Sequence, residues 1–174
     1  MNTLNEQVVQ ILTQEPQTLP ADIATKLNVS ELEVLQAFPS QSAVVISGDH
    51  ARDLLHEIAG WKTDVTVIVQ SGGSIFEVKA PLPEGKFARG YYNLMGQTGQ
   101  LHGHLNLDNI AHIALVSKPF MGKESHYFGF LDAQGDNIFK IYLGRDAQRN
   151  LLPGQVETFQ ALKHSFVSEP DQSY

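Results

Sequence analysis

The sequence predicts an α+β fold in a single domain spanning residues 1–174: a large antiparallel β-sheet flanked by helices, with residues 1–42 forming an N-terminal three-helix segment. Three observations predict it. Apolar residues recur at helical spacing up to about residue 40, then alternate with period two from Ala43 onward. The strand-sized runs are joined by short Gly-containing connections, Ser71-Gly72-Gly73 and Gln134-Gly135-Asp136, which suit antiparallel hairpins. An apolar stripe of helical period returns near the C-terminus.

The first helix carries Leu4, Val8, Ile11 and Leu12 and must stop by Pro16. Pro20 suits the first turn of a second helix that contains Ile23, Ala24 and Leu27. Ser30 is placed to cap a third, with Glu33 completing a capping box and Pro39 closing the segment. Leu32, Leu35 and Phe38 share a face of that helix. Strands are expected at 43–47, 64–70, 74–80, 87–93, 100–107, 111–117, 124–132 and 137–143. One helix interrupts them near 49–59, where Leu54, Leu55 and Ile58 form a stripe. A last helix, starting at Leu152 or Gln155 and running to Phe166, packs through Val156, Phe159 and Leu162.

Composition removes several function classes. The absence of cysteine excludes disulfides, thiolate catalysis, iron–sulfur clusters and thioether-linked haem, and it suits a reducing cytoplasm. The N-terminus has no basic cluster followed by an apolar run, so no signal peptide is expected, and the longest apolar stretches are strand-sized rather than membrane-spanning. A net charge of −7 opposes general nucleic-acid binding. Residues 19–35 do have the rhythm of a helix-turn-helix, but the recognition position offers Glu31 and Glu33, so a packing or partner-docking role is expected instead. Residues 86–123 differ from the rest: Lys86, Arg89, Lys118 and Lys123 face only Asp108, a balance that suits a small anionic ligand.

The sharpest local feature is Leu101-His102-Gly103-His104-Leu105-Asn106-Leu107. Strand alternation puts the leucines on one face and His102, His104 and Asn106 on the other, with the imidazoles about 7 Å apart along the strand. A solvated polar face explains this pattern as well as a binding face does. Neutral imidazole is, however, the commonest metal ligand and a usual axial ligand of haem iron, and Gly103 allows a flat ligand to come close. The preceding segment adds Arg89, Tyr91 and Tyr92, and pairing would bring one tyrosine to the histidine side. A phenolate can ligate ferric haem, and Arg89 or Lys86 can pair with a propionate. His126, on the same strand face as Phe128 and Phe130, reads as a satisfied core histidine, and His112 reads similarly. His50, His56 and His164 read as surface or capping residues.

Four segments in order, Gly90-Tyr91-Tyr92-Asn93-Leu94, Leu101-His102-Gly103-His104-Leu105, Lys118-Pro119-Phe120-Met121-Gly122 and Phe139-Lys140-Ile141-Tyr142-Leu143-Gly144-Arg145-Asp146, resemble the HutX/ChuX family of intracellular haem-utilisation carriers. The resemblance covers nearly the whole chain. It implies a cytoplasmic, dimeric protein that binds haem b and passes it to a haem-degrading acceptor, with a fold like one half of the larger HemS/ChuS proteins. It implies His104 as the axial ligand to the haem iron, and Tyr92 as a second haem-binding residue. Lys118, Tyr142 and Arg145 resemble positions lining the haem side of the sheet in the larger relatives. Where some carriers have a second histidine, this chain has Gln70, a poor iron ligand, so either His102, Tyr92 or water would complete the coordination or haem would be held loosely in more than one state. Membrane and nucleic-acid partners are not expected.

Two other functions share these residues. A haem-degrading oxygenase would bind the same ligand. Gly96, His102, His104 and Asp108 also echo a cupin metal motif, although Asp replaces the usual Glu and Leu115 stands where a glycine is expected.

Overall fold

The computed structural model describes residues 1–168. Helices α1 (Leu4–Gln14), α2 (Pro20–Leu27) and α3 (Glu31–Gln36) open the chain. Ser30 accepts from Glu33 N while Ser30 N donates to the Glu33 carboxylate, the reciprocal box expected for α3; Thr3 and Glu6 build the same device on α1. Pro20 occupies the first turn of α2. Strand β1 (Ala43–Ser47) leads through a short 3-10 turn into α4 (Ala51–Gly60). Strands β2 (Asp64–Ser71), β3 (Ser74–Pro81), β4 (Gly85–Ala88), β5 (Tyr91–Leu94), β6 (Gly103–Leu105), β7 (His112–Ser117), β8 (His126–Leu131) and β9 (Asn137–Leu143) follow, and α5 (Pro153–Ser168) closes the described chain.

All strand pairings are antiparallel, but the strands divide into two sheets. Six form a sheet in the order β1-β7-β8-β9-β2-β3, and β4-β5-β6 form a smaller one. Two expected strands account for the split. The segment 87–93 is a hairpin rather than one strand, because Arg89 (φ 56°) and Gly90 (φ 81°) both adopt the left-handed conformation of a two-residue turn. The segment 100–107 is reduced to β6, because residues 97–100 close a turn, with Gln100 N donating to Gln97 O, and residues 107–109 form a 3-10 turn. Gly96 is required there: a Cβ would lie 2.0 Å from the Leu101 carbonyl oxygen.

Alternation along the six-stranded sheet produces a core on each face. On one, Val65, Ile113, Leu115, Phe128, Phe130 and Ile141 pack under α4, α5 and the small sheet, with Phe159 edge-on to Phe128 at 5.0 Å. On the other, Ala114, Val116, Tyr127 and Leu131 pack against Val8, Ile23, Val34 and Leu35 of the N-terminal helices. The apolar stripe of α1–α3 is thus consumed in covering the sheet, the packing role expected of that segment. Among the described residues no helix is long and apolar enough to cross a membrane.

Candidate functional site

The small sheet turns one face inward. Tyr92 and Leu94 of β5 are buried, and Leu101, Leu105 and Leu107 pack against the same core. Tyr91 and Asn93, on the alternate positions of β5, point the other way, and Asn93 lies directly opposite His104 in the β5–β6 register. The alternation expected for 101–107 therefore survives although only three of its residues are strand: the leucines are half-buried, and His102 and His104 are exposed. The ring centroids of His102 and His104 are 5.9 Å apart, nearly perpendicular, and the Tyr91 ring lies 5.8 Å from that of His104. His104 Nδ1 is 2.6 Å from Asn93 Oδ1.

His104 and Leu105 also border a crevice of about 480 Å³. Its apolar wall comes from Leu105, Ile110, Ile138 and Phe139, and its rim from polar residues that include Asp108 and Asp132. An imidazole at the margin of an apolar slot has the chemistry of a metal-centred planar ligand site: the ring supplies a nitrogen donor while the wall takes the hydrophobic face. With carboxylates rather than cations on its rim, the slot favours a pose in which a ligand's anionic groups point out to solvent.

The remaining sequence-predicted residues lie elsewhere. Tyr92 is in the core, its ring 5.1 Å from that of Phe87, and Gly85 leaves it room, since a Cβ there would sit 2.0 Å from the ring. Burial raises the Tyr92 phenol above its ordinary range, only partly opposed by a Gly85 backbone hydrogen bond and by Arg52, so the phenolate is disfavoured. Tyr91 is the tyrosine on the His104 side. Arg89 is exposed at the tip of the β4–β5 hairpin.

Lys118 and Tyr142 belong to the opposite face of the six-stranded sheet, beneath the N-terminal helices. Lys118 Nζ donates to Pro16 O at 3.0 Å, and desolvation together with Lys140 lowers its pKa. Burial pushes the Tyr142 phenol up to about 12, helped by Glu31 and Glu77. Arg145 is at a third location, donating to the carbonyls of Glu124 and Arg149 beside a groove of about 640 Å³ against the start of α5. Gln70 lies at the exposed end of β2.

His126 is a satisfied core histidine, with Nδ1 2.8 Å from Ser117 Oγ and Nε2 2.7 Å from Glu124 Oε2. The cupin-type grouping is not assembled: among the described residues no three His, Asp or Glu side chains are placed to share a metal ion. Two residues of the site were not singled out from sequence, Tyr91 as the histidine-side tyrosine and Asn93. Their signal is the β5–β6 register, which the loop at 95–102 hides.

The profile of the family described as haem utilisation ChuX/HutX matches residues 44–162. The chain is 57% identical over 163 residues to the intracellular heme transport protein HutX of Vibrio cholerae, covering 94% of this chain and 84% of that one. It superimposes on the solved heme-binding protein ChuX with a TM-score of 0.82 at 32% identity, covering 95% of this chain and all 100% of the other. It also matches the fold of ChuS, a heme degrading enzyme of Escherichia coli, with a TM-score of 0.75 at 19% identity, covering 91% of this chain but 46% of that one, so one copy of this fold corresponds to about half of ChuS. The chain belongs to the ChuX/HutX family of haem-utilisation proteins.

Proposed function

We propose that the protein is a cytoplasmic, non-enzymatic haem carrier that binds haem b on the exposed face of the small sheet and hands it to a haem-degrading acceptor. The observation that carries this reading is His104, an exposed imidazole at the margin of an apolar crevice, in a chain 57% identical to a named heme transporter. His104 is the axial ligand to the iron, with His102 and Tyr91 the neighbouring donors. The haem is exchangeable, since the chain has no cysteine to anchor it covalently. A ligand held at an open face through a single protein donor can be passed on, whereas deep enclosure would make release slow. The cytoplasmic placement is supported by the intracellular role named for the Vibrio relative and by the cysteine-free composition.

The carrier acts as a homodimer. Strand β3 is the outer strand of the six-stranded sheet and leaves Ile75 and Phe76 about 60% exposed, an open edge suited to a second copy. Light scattering at twice the 19.2 kDa chain mass supports this, and a monomer at micromolar concentration contradicts it.

Transfer kinetics separate carrier from enzyme. Haem should move from the loaded protein to a haem-degrading acceptor faster than it escapes to an excess of a passive haem scavenger. With a reductant and O₂, the loaded protein alone should form no bilin at turnover rates. Rapid bilin formation would assign it to the enzymes, and transfer no faster than passive escape would refute directed handover.

A further inference from the structure

Asn93 is held by more bonds than any other polar side chain of the small sheet. Its Nδ2 donates to the carbonyl oxygens of Lys86, Ala88 and Tyr91 at 3.0, 3.1 and 3.2 Å. Backbone carbonyls only accept, so this end of the carboxamide must be the nitrogen; reversing the amide would set Oδ1 against three oxygens. The oxygen is thereby aimed at His104, 2.6 Å from Nδ1. An amide oxygen has no proton to give, so the proton in that contact sits on His104 Nδ1, and the lone pair of the neutral ring is on Nε2.

We infer that Asn93 is the positioning residue that holds His104 in its Nδ1–H tautomer and so presents Nε2 to the haem iron. The hairpin carbonyls orient the amide, the amide orients the imidazole, and the imidazole orients the iron bond. A neutral amide pulls on Nδ1–H less than a carboxylate would, which keeps the imidazole a moderate donor, as a ligand that must be given up requires. This inference rests on the reading of His104 as the iron ligand.

The two claims separate experimentally. Nitrogen-detected NMR of the ligand-free protein, which needs no haem, should find His104 protonated at Nδ1 and unprotonated at Nε2, and Asn93→Ala should lose that preference. In the loaded protein, Asn93→Ala should weaken haem binding about 10- to 100-fold, the usual effect of removing a partner that orients a metal ligand. Asn93→Asp restores an acceptor for Nδ1–H but not the donors to the three carbonyls. Its second oxygen faces those carbonyls, so it should recover the Nδ1–H tautomer and only part of the haem affinity lost in Asn93→Ala, with a lower iron reduction potential than wild type. If Asp fails as Ala does while both fold, Asn93 only clasps the hairpin and the inference is overturned. A His104 ring protonated at Nε2 in the wild-type protein overturns it without any variant. If His104→Ala leaves the haem spectrum intact, the ligand reading fails while the tautomer result stands on its own.

Discussion

Glu31 of α3 and Lys140 of β9 lie 3.4 Å apart, Oε1 to Nζ, with their side chains 9% and 11% exposed. The pair sits on the seam where the N-terminal helices meet the sheet, and Lys140 also lies 5.1 Å from the centre of the Tyr127 ring. Glu31 Oε1 makes no hydrogen bond, so the attraction is a charge contact without directional support. Breaking such a buried pair costs more than its net worth, because the remaining charge is left in a poor solvent. Lys140→Met alone should therefore lower unfolding free energy by about 3 kcal/mol, whereas Glu31→Leu with Lys140→Met should come within about 1 kcal/mol of wild type. Denaturant unfolding of both singles and the double checks this; a double variant as unstable as the sum of the singles would contradict it.

Alkali should loosen the same seam. The unfolded chain ionises its tyrosines near pH 10, but folded Tyr142 stays protonated to about 12, because burial first and then Glu31 and Glu77 oppose the phenolate. Tyr127, fully buried, is shifted in the same direction. Between these pH values the folded state binds more protons than the unfolded one, so stability is complete below about pH 10 and falls by about 1.4 kcal/mol per pH unit for each such tyrosine. Tyr142→Phe should flatten this limb of a stability–pH curve and leave stability near pH 7 little changed. Coincident wild-type and variant slopes above pH 10 would contradict it.

The N-terminal helices should not retain DNA. Residues 1–40 carry five acids and one lysine; Glu33 is engaged in its capping box and Glu31 in the ion pair. The apolar faces of these helices are spent against the sheet. A mobility-shift experiment at low salt should show free duplex at micromolar protein, and salt-sensitive retention would overturn this.

Much of the fold is legible in the sequence because its signals are local. The cap at Ser30, the first-turn proline Pro20, the stripe Leu54-Leu55-Ile58 and the hairpin turns at Gly72-Gly73 and Gly135 each act within a few residues, and each appears where expected. The small sheet was less legible. Arg89-Gly90 lacks the Asn-Gly or Asp-Gly signal of a two-residue turn, so β4 and β5 read as one strand. For the site, the leucine and histidine faces of 101–107 follow from period two alone, but which tyrosine joins the histidines depends on a register set across a loop. A one-residue change in that register exchanges Tyr91 for Tyr92. The wide separation of Lys118 and Tyr142 from His104 is a matter of which sheet face each strand presents, and motif order carries no such information.

Haem binding through His104 is tested by an absorption titration with hemin, run on the wild-type protein, His104→Ala and His164→Ala. A saturable Soret band near one haem per chain is expected for wild type and for His164→Ala, and a shifted band with faster haem loss for His104→Ala. No saturable band in the wild-type protein, or equal behaviour of the two variants, would contradict it.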